Sequence, residues 1–216
     1  MADFNISFPL QQTHEGGYGI DNNGYEVYRG INRLYNPTWN GWTVIDVIKG
    51  SKANQQNWID NRVDIYVKPV YKKLYWDFIQ GDKIINQTFA NFLYDFTTAS
   101  GADAVKVLQR LLNVRVDGGL GPVTLAALNN ELKTNGANLY KDFWKARYDF
   151  TKNLVPHIIP QSWWAGVEQR LLSFENSFVD EVLQVAKNTG ETVKKNPIKT
   201  LVVISLAGYI LYKIFN

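Results

Sequence analysis

The sequence predicts a mainly α-helical protein that ends in a short apolar helix. Apolar residues recur at spacings of three and four, the period of an amphipathic helix, at Phe89, Phe92, Leu93 and Phe96. Glycine and proline stand between such periodic stretches, where they favour turns and helix ends. A run of thirteen residues at 200–212 carries no charge. Together these patterns predict helices joined by short connections, followed by a hydrophobic C-terminal segment.

The composition excludes several classes of site. The chain has 216 residues, no cysteine and two histidines, so we expect neither disulfides nor zinc–thiolate or His-rich metal sites. Its 23 basic and 20 acidic residues give a formal charge of +3, too small to indicate a nucleic-acid-binding face. We therefore expect no cofactor, no metal ion and no nucleic-acid partner. The aromatic content of 14% suits either a sugar-binding cleft or an ordinary core.

The first predicted element is a short helix that begins at Ser7 or Phe8 and ends near Glu15. Pro9 then falls in its first turn, where a missing N–H is tolerated. Two glycines follow the acidic residue, and glycine readily adopts the left-handed conformation that closes a helix.

Glycine, proline and polar turns divide the rest of the chain. Residues 19–50 are rich in Gly, Asn, Pro and aromatic residues, which predicts irregular structure with room for one small hairpin. Further helices are predicted at about 51–67, 71–79 after an interruption at Pro69, 84–98, beyond Gly101, 122–128, 137–155 and 163–187. An Asp-Gly-Gly turn is expected at 117–119, and the polar stretch at 187–197 predicts a linker.

The segment 198–215 predicts a single membrane-spanning helix. Its uncharged run spans about 20 Å at ~1.5 Å per residue, which is shorter than a hydrocarbon core of ~30 Å. Lys199 and Lys213 flank this run, and their apolar stems extend it at both ends. A buried or peripheral helix is the alternative, but apolar residues cover nearly every face. Residues 1–10 lack the apolar run of a secretory signal peptide.

The segment from His14 to Tyr18 places the Glu15 carboxylate beside two glycines and an aromatic ring. Glycoside cleavage needs a carboxylic acid that stays protonated until it protonates the leaving sugar oxygen. Burial and the negative end of a helix dipole both favour the protonated acid. Taken alone, the segment is explained more simply as a polar residue followed by glycines that end a helix.

Further motifs extend this pattern. EVYRGI follows at 26–31 and NPTWNGWTVID at 36–46, and the later motifs are YWD at 75–77, LYDF at 93–96, VKVLQRLLNVRVDGGLGPVTLAAL at 105–128 and WAG at 164–166. In this order and spacing they resemble glycoside hydrolase family 108, a family of bacteriolytic muramidases common in phages and their bacterial hosts. The resemblance spans roughly residues 4–180, and the part from 105 is similar to the peptidoglycan-binding region that accompanies the family.

The resemblance implies a lysozyme-like helical domain that cleaves the bond between N-acetylmuramic acid and N-acetylglucosamine. It implies that Glu15 is the catalytic acid. It also implies substrate binding in a glycan cleft by Gly17, Tyr18, Tyr28 and Trp42, with a place in the core as the alternative for each aromatic residue.

The second carboxylate is left open among Asp21, Glu26 and Asp46. A retaining enzyme needs the pair ~5–5.5 Å apart and an inverting one ~6.5–9.5 Å apart. A single acid, with a sugar hydroxyl as the nucleophile, would instead make the protein a lytic transglycosylase. Val27 and Ala99 stand where many family members have Thr and Asn, which favours a third alternative, an inactive wall-binding structural protein of a virion.

The predicted organisation has four parts. These are a muramidase catalytic region at 1–100, a peptidoglycan-binding helical region at 101–186 packed with it, a linker at 187–197 and a transmembrane anchor at 198–215. The expected partners are peptidoglycan glycan strands, a lipid membrane through the C-terminal helix, and other virion or lysis proteins. The expected location is membrane-associated, in a phage particle or the host cell envelope.

Overall fold

The computed structural model describes residues 1–53 and 55–174, and this part of the chain is mainly helical, as predicted. Its α-helices are α1 Phe4–Gln12, α2 Gly41–Ile48, α3 Asn61–Tyr71, α4 Gln87–Ser100, α5 Ala102–Leu111 and α6 Pro122–Lys152, and residues 164–174 are also helical. Short 3₁₀ helices lie at Lys49–Lys52, Gly81–Lys83 and Gln161–Trp163, and a π-helical turn at Lys72–Trp76. The strands are β1 Tyr18–Ile20, β2 Glu26–Tyr28 and β3 Ile31–Asn32. The chain divides into two compact units, Met1–Leu139 and a second that begins at Tyr140.

Helix α1 begins and ends earlier than the sequence predicts. The Asp3 carboxylate accepts a hydrogen bond from the backbone N–H of Asn5 at 2.8 Å, and this cap starts the helix at Phe4. Pro9 therefore lies inside the helix instead of in its first turn. Because the helix ends at Gln12, Glu15 stands on the connection that follows it and not in its last turn.

A small antiparallel sheet occupies the start of the stretch predicted to be irregular. Strand β1 pairs with β2, and β2 pairs with β3 in a register that sets Tyr28 opposite Ile31. The two residues between them, Arg29 and Gly30, have φ values of +50° and +75°. Positive φ at both central residues is the geometry of a type I′ hairpin turn, whose twist matches that of the strands it joins.

The helix predicted at 51–67 is present only in its second half. Helix α3 begins at Asn61, where the Asp60 side chain accepts a hydrogen bond from the backbone N–H of Arg62 at 3.0 Å. It then passes through Pro69 without the predicted interruption. Pro69 is exposed and its ring removes only one backbone N–H, so the helix continues to Tyr71 and into the π-helical turn.

The core of the first unit forms where α1, the π-helical turn and α4 meet. The fully buried Trp76 ring lies 5.6 Å from the ring centroids of both Phe4 and Tyr94. A Cβ at Gly81 would lie 2.2 Å from the same indole, so glycine is required there. Other fully buried side chains of this core are Phe89, Phe92, Leu93, Phe96 and Leu108. This packing fixes α1 and the connection that leaves it.

The predicted Asp-Gly-Gly turn forms after α5 and is held by Gln109. Its fully buried side chain accepts hydrogen bonds from the backbone N–H groups of Asp117 and Gly118 at 3.0 and 2.8 Å. The same side chain donates to the Gly119 carbonyl at 2.9 Å. One buried glutamine side chain thus bonds to the backbone of three consecutive residues and fixes the conformation of the turn.

Helix α6 joins two segments that the sequence predicts as separate helices. Its backbone leaves helical geometry at Asn135, where φ is −148° and ψ is 29°, so two helical segments meet there at a kink. In the second unit, the Tyr140 hydroxyl donates to the Phe174 carbonyl at 2.8 Å. The Trp144 indole donates to the Leu171 carbonyl at 3.0 Å. The predicted linker at 187–197 and the predicted anchor at 198–215 lie outside the described residues. Among the residues that are described, no helix is long and apolar enough to span a membrane.

The cap of α1 can be tested by Asp3→Ala, which removes the acceptor for the Asn5 N–H. We expect the free energy of unfolding to fall by about 1 kcal/mol, as is typical for loss of a helix N-cap. Urea unfolding measures this change. Asp103→Ala is the control, because Asp103 lies in the first turn of α5 and forms only an exposed ion pair with Lys106. Equal effects of the two changes would contradict the assigned role of Asp3.

Candidate active site

The Glu15 carboxylate is half-buried and is held from the side of α1. Gln11, in the last turn of that helix, donates a hydrogen bond from its Nε2 to Glu15 Oε1 at 2.9 Å. The Gln11 side chain is itself buried. The carboxylate is therefore oriented by a side chain whose own position is fixed by packing.

The β2–β3 turn approaches the other carboxylate oxygen. A Cβ built at Gly30 would lie 2.6 Å from Glu15 Oε2 and 2.5 Å from the Tyr71 hydroxyl. Real Cβ atoms do not come this close to other heavy atoms, and the φ of +75° also disfavours any larger residue. Glycine at position 30 therefore lets the turn close against the acid.

Three contacts hold this turn in place. The Arg29 backbone N–H donates to the Gly16 carbonyl at 3.1 Å, which ties the turn to the connection that carries Glu15. The Tyr71 hydroxyl donates to the Arg29 carbonyl at 2.7 Å. The Arg29 guanidinium also pairs with Asp64 at 3.4 Å. These contacts offset the cost of a left-handed backbone at a residue with a side chain.

Three tyrosines lie near enough to the carboxylate to interact with its charge. Burial, and then the charge of Glu15, raise the pKa of Tyr71 and of Tyr75. Burial also raises the pKa of Tyr94, with smaller contributions from Tyr71, Asp95, Tyr75 and Glu15. All three hydroxyls thus stay neutral at physiological pH. An acid in such surroundings is suited to donate a proton to a bound substrate.

Gly17, predicted to bind substrate, packs against protein backbone. A Cβ at this position would lie 2.3 Å from the Trp58 carbonyl oxygen. The Gly17 N–H donates to the Asn57 side chain, and the next N–H, of Tyr18, donates to the Trp58 carbonyl at 2.8 Å. Glycine is needed here for close approach of the segment at 57–58.

Tyr18 is the predicted aromatic residue that retains partial exposure. Its ring stacks on Trp58 with centroids 4.8 Å apart, and its hydroxyl donates to Glu26 Oε1 at 2.6 Å. Burial, followed by this hydrogen bond, raises the pKa of Tyr18 to about 12. The ring is therefore a fixed neutral surface beside the Glu-Gly-Gly segment.

Tyr28 and Trp42, by contrast, are core residues with exposures of 0% and 2%. The Tyr28 hydroxyl donates to Asp64 at 2.6 Å, and the Trp42 indole donates to the Asn36 carbonyl at 2.7 Å. The sequence predicts both rings on the wall of a cleft, but in this structure neither has a face open to a sugar. They position β2 and α2 behind the site, the core role that was the alternative.

Glu26 and Asp46, two candidates for the second carboxylate, share a cluster with Arg33 and Lys49. Arg33 contacts both acids, reaching the two Asp46 oxygens at 2.7 and 2.6 Å. Lys49 lies 2.9 Å from Glu26 and 2.8 Å from Asp46. Burial raises the pKa of Glu26, but hydrogen bonds from Lys49, Tyr18 and Arg33 outweigh it and lower the pKa overall. Bonds from Arg33 and then Lys49 lower the pKa of Asp46. Both carboxylates are thus ionised and charge-balanced.

Asp21, the third candidate, organises the β1–β2 turn. Its Oδ1 accepts from the backbone N–H groups of Asn23 and Tyr25, each at 2.9 Å, and its Oδ2 accepts from the Asn32 side chain at 2.7 Å. The bond from Tyr25 is the largest of the effects that lower the pKa of Asp21.

In residues 1–53 and 55–174, no group of three or more His, Asp or Glu side chains is arranged to hold a metal ion.

Sequence reasoning missed three of the residues around Glu15. Gly30 lies in the Arg-Gly-Ile step that was noted, but its contact with the acid depends on the hairpin turn. Gln11 precedes Glu15 by four residues, the spacing of one helical turn, which was the available signal. No local signal points to Tyr71, because α3 brings it to the site from distant sequence.

The part of the chain that contains this site is similar to known proteins. Residues 10–101 match the family model of glycosyl hydrolase 108. The solved structure of SagA from Brucella abortus is similar in fold, with a TM-score of 0.57 and 24% sequence identity over 82% of this chain and 94% of that chain. No curated protein matches the sequence. Glu15, Gly30 and Tyr71 all lie within the residues that match this family model.

The contact between the turn and the acid can be tested by Gly30→Ala. The added methyl group would displace the Glu15 carboxylate, and a displacement of about 1 Å costs on the order of 100-fold in rate. Glycan hydrolysis and thermal unfolding are measured together. Gly24→Ala is the matched control, since Gly24 has a φ of +85° but nothing within 4 Å of an added Cβ. Equal losses of activity in the two variants would show that backbone strain, and not contact with Glu15, is responsible.

Proposed function

We propose that this protein is a muramidase that cleaves the bond between N-acetylmuramic acid and N-acetylglucosamine in bacterial peptidoglycan. The proposal rests on the geometry of Glu15, whose carboxylate is half-buried. One of its oxygens accepts a hydrogen bond from Gln11, and Gly30 packs closely against the other. The match of residues 10–101 to glycosyl hydrolase 108 supports a glycosidic substrate. The resemblance of the sequence motifs to bacteriolytic muramidases supports peptidoglycan as that substrate.

In the proposed reaction, Glu15 acts as the general acid. Its proton passes to the bridging oxygen as the bond between that oxygen and the anomeric carbon breaks, and positive charge develops on the sugar. The oxygen of a water molecule then bonds to the anomeric carbon and loses one proton to solvent, while Glu15 takes one proton back from solvent, which leaves a new reducing end and restores the acid. The neutral tyrosine hydroxyls around Glu15 let it take up and give back one proton without a competing ionisation.

Three more contacts shape the surface beside the acid. Tyr18 is held by stacking on Trp58 and by its hydrogen bond to Glu26, so its partly exposed ring is a rigid contact for a sugar. Tyr28 and Trp42 act indirectly, as the buried support of the sheet and of α2. Gly17 allows the segment at 57–58 to pack directly under the Glu-Gly-Gly connection.

A lytic transglycosylase is the second candidate function. It is favoured by one observation: Asp21, Glu26 and Asp46 are each engaged in a turn or an ion-pair cluster. An enzyme with one acid would use a hydroxyl of the substrate itself as the nucleophile and leave an anhydro sugar end. Mass spectrometry of the products distinguishes this outcome from the reducing ends of hydrolysis.

Replacement of Glu15 by Gln tests the proposed acid, because the amide keeps the size of the side chain but has no transferable proton. We expect cleavage of purified peptidoglycan to fall by ~10²–10⁴-fold, the usual contribution of general acid catalysis. Glu131→Gln is the control, since Glu131 is a half-buried helix residue that only accepts a bond from Asn135. A parent protein without activity would favour a wall-binding structural protein, and an active Glu15→Gln variant would remove Glu15 from the mechanism.

We also propose, from the sequence, that residues 198–215 anchor the protein in the membrane of a phage particle or of the host envelope. Other virion or lysis proteins are its proposed neighbours there. Deletion of 197–216 should leave peptidoglycan cleavage intact and abolish co-sedimentation with lipid vesicles. Equal co-sedimentation of the full-length and truncated proteins would overturn the anchor and leave the proposed enzymatic activity untouched.

A further inference from the structure

The peptide group between Gly16 and Gly17, one peptide bond beyond Glu15, has both of its polar groups bonded. Its carbonyl oxygen, on Gly16, accepts a hydrogen bond from the Arg29 N–H at 3.1 Å. Its N–H, on Gly17, donates to Oδ1 of the Asn57 side chain. The glycines on either side would otherwise let this peptide group rotate more freely than other residues do. The β2–β3 turn thus fixes one edge of the peptide group, and Asn57 fixes the other.

Asn57 adopts a left-handed backbone, with a φ of +54°. Asparagine is enriched in this region among residues with a side chain, and such a conformation persists where the surrounding structure holds it. The next residue supplies that hold, because Trp58 is buried and its ring stacks on Tyr18 with centroids 4.8 Å apart. The Trp58 carbonyl also accepts the Tyr18 N–H at 2.8 Å. Asn57 therefore reaches Gly17 from a segment that is itself fixed by packing.

The close approach of Asn57 depends on the two glycines. A Cβ at Gly16 would lie 2.8 Å from Asn57 Oδ1, and one at Gly17 would lie 2.5 Å from the Asn57 carbonyl oxygen. Gly17 is buried, so water would reach its N–H poorly if the side-chain acceptor were removed. Asn57 itself is exposed, so burial of its own side chain does not explain an amide at this position.

We infer that Asn57 is a positioning residue, which keeps Glu15 in place for the proposed proton transfer by fixing the peptide group between Gly16 and Gly17. Helix α1 fixes the chain before Glu15, and the bonds from Arg29 and to Asn57 fix the chain after it. A small displacement of a reacting group lowers the rate steeply, so this support matters most for kcat. The inference rests on the proposed function and adds to it a residue that acts through the backbone of Glu15.

The backbone and the side chain of Asn57 can be tested separately by measuring kcat and KM on solubilised peptidoglycan with the full chain, at the pH optimum of each variant. Asn57→Gly keeps the left-handed backbone but removes the acceptor. We expect kcat to fall about 10-fold, as for one lost hydrogen bond that orients a reacting group, and KM to change by less than about twofold. Asn57→Asp keeps both the acceptor and the tolerance of a left-handed backbone, so kcat should stay within about threefold of the parent.

Asn113→Gly is the matched control for the loss of an asparagine side chain from a left-handed backbone. Asn113 is also exposed, has a φ of +52° and follows the end of α5, where its N–H donates to the Arg110 carbonyl at 3.2 Å. This variant should keep the kcat and KM of the parent.

Hydrogen exchange of the Gly17 N–H gives a second readout that does not require activity. Asn57→Gly should speed exchange of this amide by about 10-fold or more, whereas Asn57→Asp and Asn113→Gly should leave it near the parent rate. The inference is overturned by parent-like kcat or parent-like Gly17 exchange in Asn57→Gly, or by a loss of kcat in Asn57→Asp as large as in Asn57→Gly. Each of these results would leave the proposed acid standing, since the role of Glu15 is judged separately by the loss of activity in Glu15→Gln.

Discussion

The approach of the β2–β3 turn to the Glu15 carboxylate is the constraint on which the rest of the site depends. For the turn to come this close, position 30 must lack a side chain, and Arg29 must adopt a left-handed backbone that its own contacts hold. Those contacts reach the Gly16 carbonyl on one side and Tyr71 of α3 on the other. The main role of the small sheet is thus to hold the connection after α1 in place against α3.

Charge is distributed unevenly around the β2–β3 turn and Glu15. Buried or half-buried tyrosines are among the groups that couple to Glu15, whereas the four charged side chains of the Arg33, Lys49, Glu26 and Asp46 cluster neutralise one another. Tyr18 connects the two regions, because it follows the Glu-Gly-Gly segment and donates to Glu26. The arrangement keeps Glu26 and Asp46 in contact with cations, whereas the Glu15 carboxylate accepts a hydrogen bond from a neutral amide, so the carboxyl groups of this region have chemically distinct surroundings.

The sequence was most informative where the structure is local. Helix α4 and the turn held by Gln109 follow from apolar periodicity and from Asp-Gly-Gly chemistry. The motifs in order single out Glu15 as a candidate acid, and its catalytic role stays a prediction. The burial of Tyr28 and Trp42 could not be predicted, since an aromatic residue in a strand or short helix suits a core and a cleft equally well. The contacts of Glu15 with Gly30 and Tyr71 come from separate elements, and only tertiary packing brings them together.

The two hairpins of the sheet differ in how freely their length can vary. The β2–β3 connection has two residues, both with positive φ, and lies against the acid, so an inserted residue would change its twist and its distance from Glu15. The β1–β2 connection is longer and exposed, and an added side chain at Gly24 meets nothing. Insertions and deletions should therefore accumulate in the β1–β2 hairpin. The same hairpin is a suitable place to insert a wall-binding peptide or to attach a fluorescent label.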